Sequence, residues 1–287
     1  MSSETTTDLT IRGMSITDIP DGMRLKEAAG WNQTDVDWRR LLSLEPQGCF
    51  VASEGNRVSG TVTTLQYEKR FGWIGMLLTN PDSRRRGIGT RLLHQAVAYL
   101  ETAGVETLRL DGTPMGYNLY LRHGFVDEYE IQRWEGVSPD GIGRGLPPLQ
   151  PADLDSVCAW DRRIFGADRS RLIRSLWREN PAFSAVAHFA GEVSGYILWR
   201  PGTHAWYLGP WLATSAELAE RLLVEMLSRV PDEMVFVDIC TKNPWGLDLI
   251  KPLGFKYQRP LVRMYRGPNS SPGEPAFVCA IAGPELG

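Results

Sequence analysis

Short apolar runs in the first half of the chain alternate with stretches whose apolar residues recur every three or four positions. The runs predict strands, and the spaced apolar residues predict helices. Strands are expected at residues 9–14, 49–53, 58–66, 71–79, 106–110 and 125–134, with helices at 19–29, 35–42 and 115–123 and another that ends at Gly104. Asp35 is a reasonable N-cap for the second helix. This alternation predicts an α/β (α+β) domain.

The same pattern begins again after a stretch rich in glycine and proline. That stretch predicts a linker at residues 139–149, which gives an expected first domain at 1–138 and a second at 150–287. In the second half, helices are expected at 152–165, 169–178, 215–230 and 246–253, and strands at 185–190, 193–199, 205–212 and 235–240. A last apolar run, 276–282, predicts an edge strand.

Short sequence motifs recur in the same order in both halves. Val58-Ser59-Gly60 returns as Val193-Ser194-Gly195, and Arg91-Leu92-Leu93 returns as Arg221-Leu222-Leu223. A Pro-x-Gly motif at positions 114–116 returns at positions 244–246, and the spacing between the two copies is nearly the same for every motif. Matches in one order at nearly one offset indicate two copies of a single α/β unit.

A basic, glycine-rich turn follows the strand at 71–79. The turn reads Arg84-Arg85-Arg86-Gly87-Ile88-Gly89, and an amphipathic helix comes after it. The free amides of a first helical turn and the helix dipole favour a bound anion, and glycine lets a phosphate approach the main chain. The second copy is about four residues shorter here, and residues 214–219 contain neither glycine nor arginine. The sequence therefore predicts one anion site, in the first half.

Composition excludes several classes of protein. A net charge of −3 argues against a nucleic-acid-binding surface, and no apolar run is long enough to span a membrane. The four cysteines are far apart, which is typical of buried thiols in a reducing cytoplasm, the expected location. The four histidines have no metal-ligand spacing, so no metal is expected.

The turn and a later tyrosine resemble motifs of the GNAT superfamily of acyl-CoA-dependent N-acyltransferases. Its R/Q-x-x-G-x-G/A signature matches residues 84–89, and its tyrosine matches Tyr120, five residues before Phe125 in a Gly-Phe pair. In the second half, residues 161–169 (DRRIFGADR) and 209–213 (GPWLA) resemble tandem-GNAT proteins with a non-catalytic second domain. The resemblance implies two GNAT-like domains, each a mixed, mostly antiparallel twisted sheet flanked by helices, with the second degenerate.

The resemblance also implies a site for acetyl-CoA as co-substrate. The pyrophosphate is expected on the amides of the turn, the pantetheine arm beside the strand ending at Thr79, and the oxyanion at an N–H near Leu77 or Leu78. The implied cofactor-binding residues are Leu77, Leu78, Thr79, Arg84, Arg85, Arg86, Gly87, Ile88, Gly89, Thr90 and Asn118. Trp31 and Asn32 lie in the loop that walls the acceptor pocket in this family, although packing alone would also explain them.

Acyl transfer to an amine needs a base for the ammonium and an acid for the leaving thiolate. Tyr120 matches the family's acid; the alternative is a tyrosine packed in a short helix. The strand at 71–79 lacks the glutamate that many members use as base. Asp111, at the expected end of the neighbouring strand, is the nearest substitute, and its alternative role is to cap the following turn. Glu68, water or an acid from the second domain also remain open as the base.

These features predict an N-acetyltransferase that moves an acetyl group from acetyl-CoA to a primary amine by direct attack in a ternary complex. A small-molecule acceptor is expected, because a second domain over the cleft would narrow it. An acyl-CoA sensor without catalysis, or an acetyltransferase for a protein lysine or N-terminus, are the alternatives. No nucleic-acid or membrane partner is expected, and the protein is expected to be a monomer or homodimer.

Overall fold

The computed structural model describes residues 9–55, 57–141, 143 and 145–287. Asn56 of the predicted hairpin turn, and Ile142 and Arg144 of the predicted linker, lie outside the described residues. The chain divides into two compact units, the first ending at Leu108 and the second spanning Arg109–Gly287. The domain boundaries expected from the sequence, 138/139 and 149/150, stay a prediction.

An antiparallel sheet with three helices packed on it forms the first unit. The strands follow one another in the order β1 (Leu9–Gly13), β2 (Cys49–Glu54), β3 (Arg57–Tyr67) and β4 (Phe71–Thr79). The helices are α1 (Ile19–Ala28), α2 (Asp35–Leu44) and α3 (Ile88–Thr102). Thr34, not Asp35 as predicted, is the N-cap of α2, in a capping box with Asp37.

Glycine in the repeated Val-Ser-Gly motif lets a helix pack closely on its sheet. A Cβ added to Gly60 in β3 would lie 2.8 Å from Leu92 Cδ1 of α3 and 2.8 Å from Leu78 O. In the second unit, a Cβ on Gly195 would lie 3.0 Å from Leu222 Cδ1 and 2.8 Å from Leu212 O. The two repeated motifs are therefore packing partners, which explains why they recur together.

The second unit contains a longer mixed sheet. Its strands are β5 (Thr107–Gly112, which starts in the first unit), β6 (Val126–Val137), β7 (Ser184–Phe189), β8 (Glu192–Arg200), β9 (Trp206–Ala213), β10 (Met234–Cys240), β11 (Lys256–Arg266) and β12 (Val278–Ala280). They are ordered β5-β11-β6-β10-β12-β9-β8-β7, and β9 also pairs with β10 in parallel. Its helices are α4 (Tyr117–Arg122), α5 (Leu154–Phe165), α6 (Ser170–Glu179), α7 (Ala216–Leu227) and α8 (Gly246–Ile250).

Two strands differ from the sequence prediction. β11 was not predicted, yet it lies in the middle of the sheet between β5 and β6. The apolar run 276–282 was expected at an edge, but its strand β12 lies between β10 and β9, so that expectation was wrong. The sheet pairs mainly antiparallel strands and is flanked by helices, which confirms the predicted fold class.

The described part of the predicted linker belongs to the second unit, and the residues at its two ends are hydrogen-bonded within that unit. Ser138 Oγ, just before the linker, donates to the carbonyl of Leu227 over 2.8 Å, and the amide of Leu149 donates to Ser184 Oγ over 3.2 Å. Ser138 and Leu149 are both buried. In the part of the chain that the structure describes, no helix combines the length and apolar character that crossing a membrane requires.

Candidate active site

A bulge interrupts β4 near its end. Thr61 of β3 lies opposite Leu78 and Thr63 lies opposite Gly75, so Met76 and Leu77 together face one residue of β3. Met76 has a φ of +48°, and its carbonyl accepts a 2.8 Å hydrogen bond from Thr61 Oγ1. A bulge disrupts the ladder locally and re-aims main-chain groups. The bulge thus contains Leu77 and ends directly before Leu78, the two residues implied for the oxyanion.

The turn between β4 and α3 is exposed. Arg85 and Gly87 both adopt left-handed backbone, with φ of +61° and +77°, and Gly87 is the N-cap of α3. Glycine has no side chain that could accept a hydrogen bond from the first amides of the helix. A Cβ on Gly87 would meet no atom within 4 Å. The first amides of α3 therefore have no protein acceptor close by among the described residues and can receive an anion.

The three arginines of the turn are not equivalent. Arg86 forms an ion pair with Glu54 of β2. Arg84 and Arg85 are exposed, and neither has a carboxylate partner among the residues that the structure describes. These two guanidinium groups are therefore available for a phosphate, whereas Arg86 already has a counter-charge.

The helix that occupies the equivalent place in the second unit is capped by its own residues. Ser215 is the N-cap of α7, and its Oγ accepts a 3.3 Å hydrogen bond from the amide of Leu218. Glu217 adds a negative charge to the first turn. Both features already satisfy the positive end of the helix, so α7 offers little to an anion.

Tyr120 fills a slot made by two glycines in the second unit. A Cβ on Gly116 would lie 2.8 Å from Tyr120 Cε2 and 3.0 Å from its hydroxyl oxygen, and one on Gly112 would lie 3.2 Å from Cδ2. Phe125 packs edge-on against the ring, with centroids 6.1 Å apart. These close contacts hold the ring in place, and a larger residue at 112 or 116 would displace it.

Burial raises the pKa of Tyr120 to about 12. The side chain is 8% exposed, so the phenolate would lose most of its solvation. The phenol therefore keeps its proton at neutral pH, which suits a group that donates a proton. Tyr117, one turn earlier on α4, is different, since its hydroxyl donates a 2.8 Å hydrogen bond to Asp127 at the surface.

Asp111 has a position that the sequence did not predict. It lies within β5, not after it, and its side chain is fully buried. Arg263 of β11 donates from Nε and Nη2 to the two carboxylate oxygens, each over 2.9 Å. Desolvation raises the pKa of Asp111 and the arginine opposes that shift. A carboxylate whose two oxygens are held in this way is a poor base, so the geometry disfavours the predicted role.

The remaining predicted residues occupy different environments. Asn118 lies on α4 in the second unit. Trp31 is half-buried and Asn32 is buried in the loop between α1 and α2. Lys26, itself fully buried, holds this loop by donating from Nζ to the carbonyl of Trp31 over 3.4 Å. Substrate contact by Trp31 and Asn32 stays a prediction.

A small, partly open pocket lies within the second unit. Arg109, Tyr129 and Arg263 are among the residues that line it, together with Ile164 and Phe165 of α5. Sequence reasoning did not select these residues. The repeat contained one signal: when the two halves are aligned on their matched motifs, Arg263 falls on Arg133 of the first copy.

Both halves of the chain match sequence profiles of one family. The profile described as "Acetyltransferase (GNAT) family" matches residues 19–125, and that described as "Acetyltransferase (GNAT) domain" matches residues 157–276. The chain belongs to the GNAT family. It is an acyltransferase of that family with two GNAT domains, and GNAT enzymes generally use acetyl-CoA.

Similar proteins and solved structures match nearly the whole chain, including both GNAT domains. Holothin acyltransferase from Pseudoalteromonas sp. (strain SANK 73390) is 26% identical over 91% of this GNAT chain and 88% of its own. A putative acetyltransferase from Pyrococcus horikoshii shares the fold with a TM-score of 0.84, at 24% identity, over 97% of this chain and 96% of that one. A tandem GNAT protein from the clavulanic acid biosynthesis pathway has a TM-score of 0.62, at 17% identity, over 92% and 100%.

Proposed function

We propose that this GNAT protein transfers an acetyl group from acetyl-CoA to the primary amine of a small molecule, by direct attack in a ternary complex. The main support is the difference between two helix N-termini. α3 begins at a glycine without a side-chain cap, beside two arginines that lack carboxylate partners among the described residues. α7 is capped by Ser215 and carries an acid. One acetyl-CoA per chain is therefore expected, on the turn before α3.

The proposed roles follow the order of the reaction. Amides of residues 85–90 hold the pyrophosphate, and an N–H at the β4 bulge, at Leu77 or Leu78, stabilises the oxyanion. The amine loses a proton and attacks the thioester carbonyl, so that a C–N bond forms and the C–S bond breaks. Tyr120 donates its phenolic proton to the leaving thiolate, a transfer that contributes on the order of 10²–10⁴-fold in rate. The proton that the attacking nitrogen loses when the amide forms restores the phenol.

The class of acceptor distinguishes this proposal from its alternatives. The relative named holothin acyltransferase makes holothin the first compound to test. A peptide with a free lysine and N-terminus represents the protein substrates. Turnover only with the peptide would replace a small-molecule acceptor by a protein. Binding of acetyl-CoA without turnover on any amine would instead favour a sensor.

Release of free CoA, measured with holothin, alkyl amines, aromatic amines, polyamines and the peptide, tests the function. A Gly89→Trp variant tests the site, because an indole at the second residue of α3 would cover the amides. We expect this variant to lose acetyl-CoA binding in a calorimetric titration. Glu217→Trp, at the second residue of α7, is the matched control and should bind normally. Unchanged binding by Gly89→Trp would show that the anion site lies elsewhere.

A further inference from the structure

Glu128 is the extra residue of a bulge in β6. Arg263 of β11 lies opposite Tyr129, and the next residue, Met264, lies opposite Asp127. Glu128 therefore has no partner in the ladder with β11. A bulge residue leaves the regular alternation of the strand, which re-aims its side chain, and such bulges concentrate beside functional sites. The bulge thus sets the direction of the Glu128 carboxylate, which would differ in a regularly paired strand.

The second copy of the domain has the same bulge with an uncharged residue. In β11, Tyr257 and Arg259 pair with consecutive residues of β6, so Gln258 is the extra residue. Alignment of the two halves on their repeated motifs places Gln258 at the position of Glu128. Gln258 is exposed and donates a 2.8 Å hydrogen bond to Glu135. The backbone feature is therefore shared, whereas the carboxylate occurs only in the copy that keeps the anion turn and Tyr120.

The surroundings of Glu128 leave one carboxylate oxygen without a donor. Oε1 accepts a 3.0 Å hydrogen bond from Asn269 Nδ2 and lies 3.7 Å from Arg109 Nη2. Oε2 is buried and, among the residues that the structure describes, has no hydrogen-bond partner. The side chain is 11% exposed. An unsatisfied buried acceptor is costly, and more so when it is charged. Such an oxygen is suited to receive an N–H donor from a ligand.

We propose that Glu128 binds the ammonium group of the acceptor and is the general base of the acetyl transfer. This inference rests on the function proposed above and identifies the acceptor as a cationic primary amine. An alkyl ammonium has a pKa near ~10.4 and must lose a proton before it can attack. Oε2 accepts that proton, which leaves neutral Glu128 and a free amine. The amine nitrogen then attacks the thioester carbonyl, and the leaving thiolate takes a separate proton from Tyr120. The second proton that the nitrogen loses when the amide forms restores the Tyr120 phenol.

Titratable groups from three strands lie near this carboxylate. Arg109 and Asp111 belong to β5, Tyr129 is its neighbour in β6, and Arg263 belongs to β11. Asp111 is neutralised by Arg263, whereas Arg109 is the cation nearest to Glu128. Arg109 and Arg263 keep the site from carrying a large negative charge before the amine binds. An arriving ammonium group supplies the N–H donor that Oε2 lacks.

Steady-state kinetics of Glu128→Gln test the proposal with the best alkyl amine and the best aromatic amine of the CoA-release panel. For the alkyl amine we expect kcat/KM to fall on the order of 10²–10⁴-fold, with an unchanged KM for acetyl-CoA. The rise of kcat/KM on the acid side of the pH profile should disappear. The loss should be smaller for the aromatic amine, because it is already unprotonated at neutral pH.

Two glutamate/glutamine exchanges serve as controls. Glu130→Gln removes an exposed carboxylate from the same strand, and Gln258→Glu places one at the equivalent bulge of the second copy. Neither should change turnover. Activity of Glu128→Gln within twofold of wild type would overturn the proposal. An equal loss for both amines with an unchanged pH profile would also overturn it, because Glu128 would then act only as a structural partner of Arg109.

Amine binding provides a readout that does not need turnover. n-Butylammonium chloride, titrated calorimetrically, should bind wild type and Gln258→Glu but not Glu128→Gln. If no amine supports CoA release while n-butylammonium binding still requires Glu128, the transferase function fails and the ammonium site remains. If CoA is released but the Glu128→Gln variant binds n-butylammonium as wild type does, the ammonium site fails and the transferase function remains.

Discussion

Arg263 and Asp111, 152 residues apart in sequence, form a buried bidentate ion pair between β11 and β5. The same arrangement occurs a second time. Arg133 of β6 donates over 2.8 and 2.6 Å to both oxygens of Asp238 in β10. In each case the arginine belongs to the strand after the short helix of one repeat (α4 or α8), and the aspartate to the strand before that helix in the other. The two repeats therefore exchange strands, and a buried Arg–Asp ion pair links the strands at each exchange.

This symmetry explains Asp111 without a catalytic role. Asp238 forms a similar ion pair in the copy whose helix N-terminus is capped and whose counterpart of Tyr120 is Ile250, although the motif alignment places Asp238 on Leu108 and not on Asp111. A buried Arg–Asp pair therefore occurs in both copies and correlates with the pairing of the strands, not with the chemistry. Glu128 behaves in the opposite way, because its counterpart is Gln258.

Asp111→Asn should destabilise the protein by about 3–5 kcal/mol. The substitution leaves the Arg263 guanidinium buried without its counter-charge, and breaking one side of a buried pair carries a cost of that size. Equilibrium urea unfolding followed by circular dichroism measures it. The double variant Asp111→Asn with Arg263→Met should recover much of the loss, because no uncompensated charge remains.

The exposed pair Arg39–Asp35 provides the control for that experiment. Both side chains are about half exposed, and the pair spans one turn of α2. Asp35→Asn should therefore change the free energy of unfolding by less than about 1 kcal/mol. Equal effects of the two substitutions would mean that the buried pair contributes no more than a surface pair.

The anion turn could be predicted because it depends on local sequence patterns. Features that depend on the pairing of distant strands could not be predicted. The turn, α3 and the slot of Tyr120 lie in short continuous stretches, so periodicity and motif spacing locate them. β11 was missed because Pro260 and three arginines interrupt its apolar pattern, and those arginines become acceptable only when distant partners satisfy them. The bulge at Glu128 depends on register with β11, a strand in the other half of the chain, which sequence periodicity cannot reveal.

Ser215→Ala should destabilise the second unit by about 1 kcal/mol without changing acetyl-CoA affinity. The variant removes the hydroxyl that accepts the amide of Leu218 at the start of α7. Thermal unfolding measures the first effect and calorimetric titration the second. Weaker acetyl-CoA binding by this variant would place a ligand at α7 and contradict a single site at α3.

Alkaline pH should lower the free energy of unfolding of the wild-type protein more than that of the Tyr120→Phe variant. Burial raises the pKa of Tyr120 from 10 to about 12, so the folded form holds its proton longer than the unfolded chain. The stabilisation is complete below pH ~10 and is lost as the pH rises towards ~12. Other tyrosines contribute equally to both proteins. The difference in unfolding free energy between wild type and Tyr120→Phe, measured from pH 8 to 11, should therefore shrink as the pH rises.

Tyr120→Phe should lower kcat at least tenfold while leaving the affinity for acetyl-CoA nearly unchanged. The ring still fills the slot formed by Gly112 and Gly116, so only the proton donor is lost. Tyr117→Phe is the control. Tyr117 lies on the same helix, but its hydroxyl donates to Asp127 at the protein surface, so this variant should keep full turnover. Acetylation rates and acetyl-CoA titrations of both variants separate chemistry from binding. Full activity of Tyr120→Phe would exclude the phenol as the acid and leave solvent to protonate the thiolate.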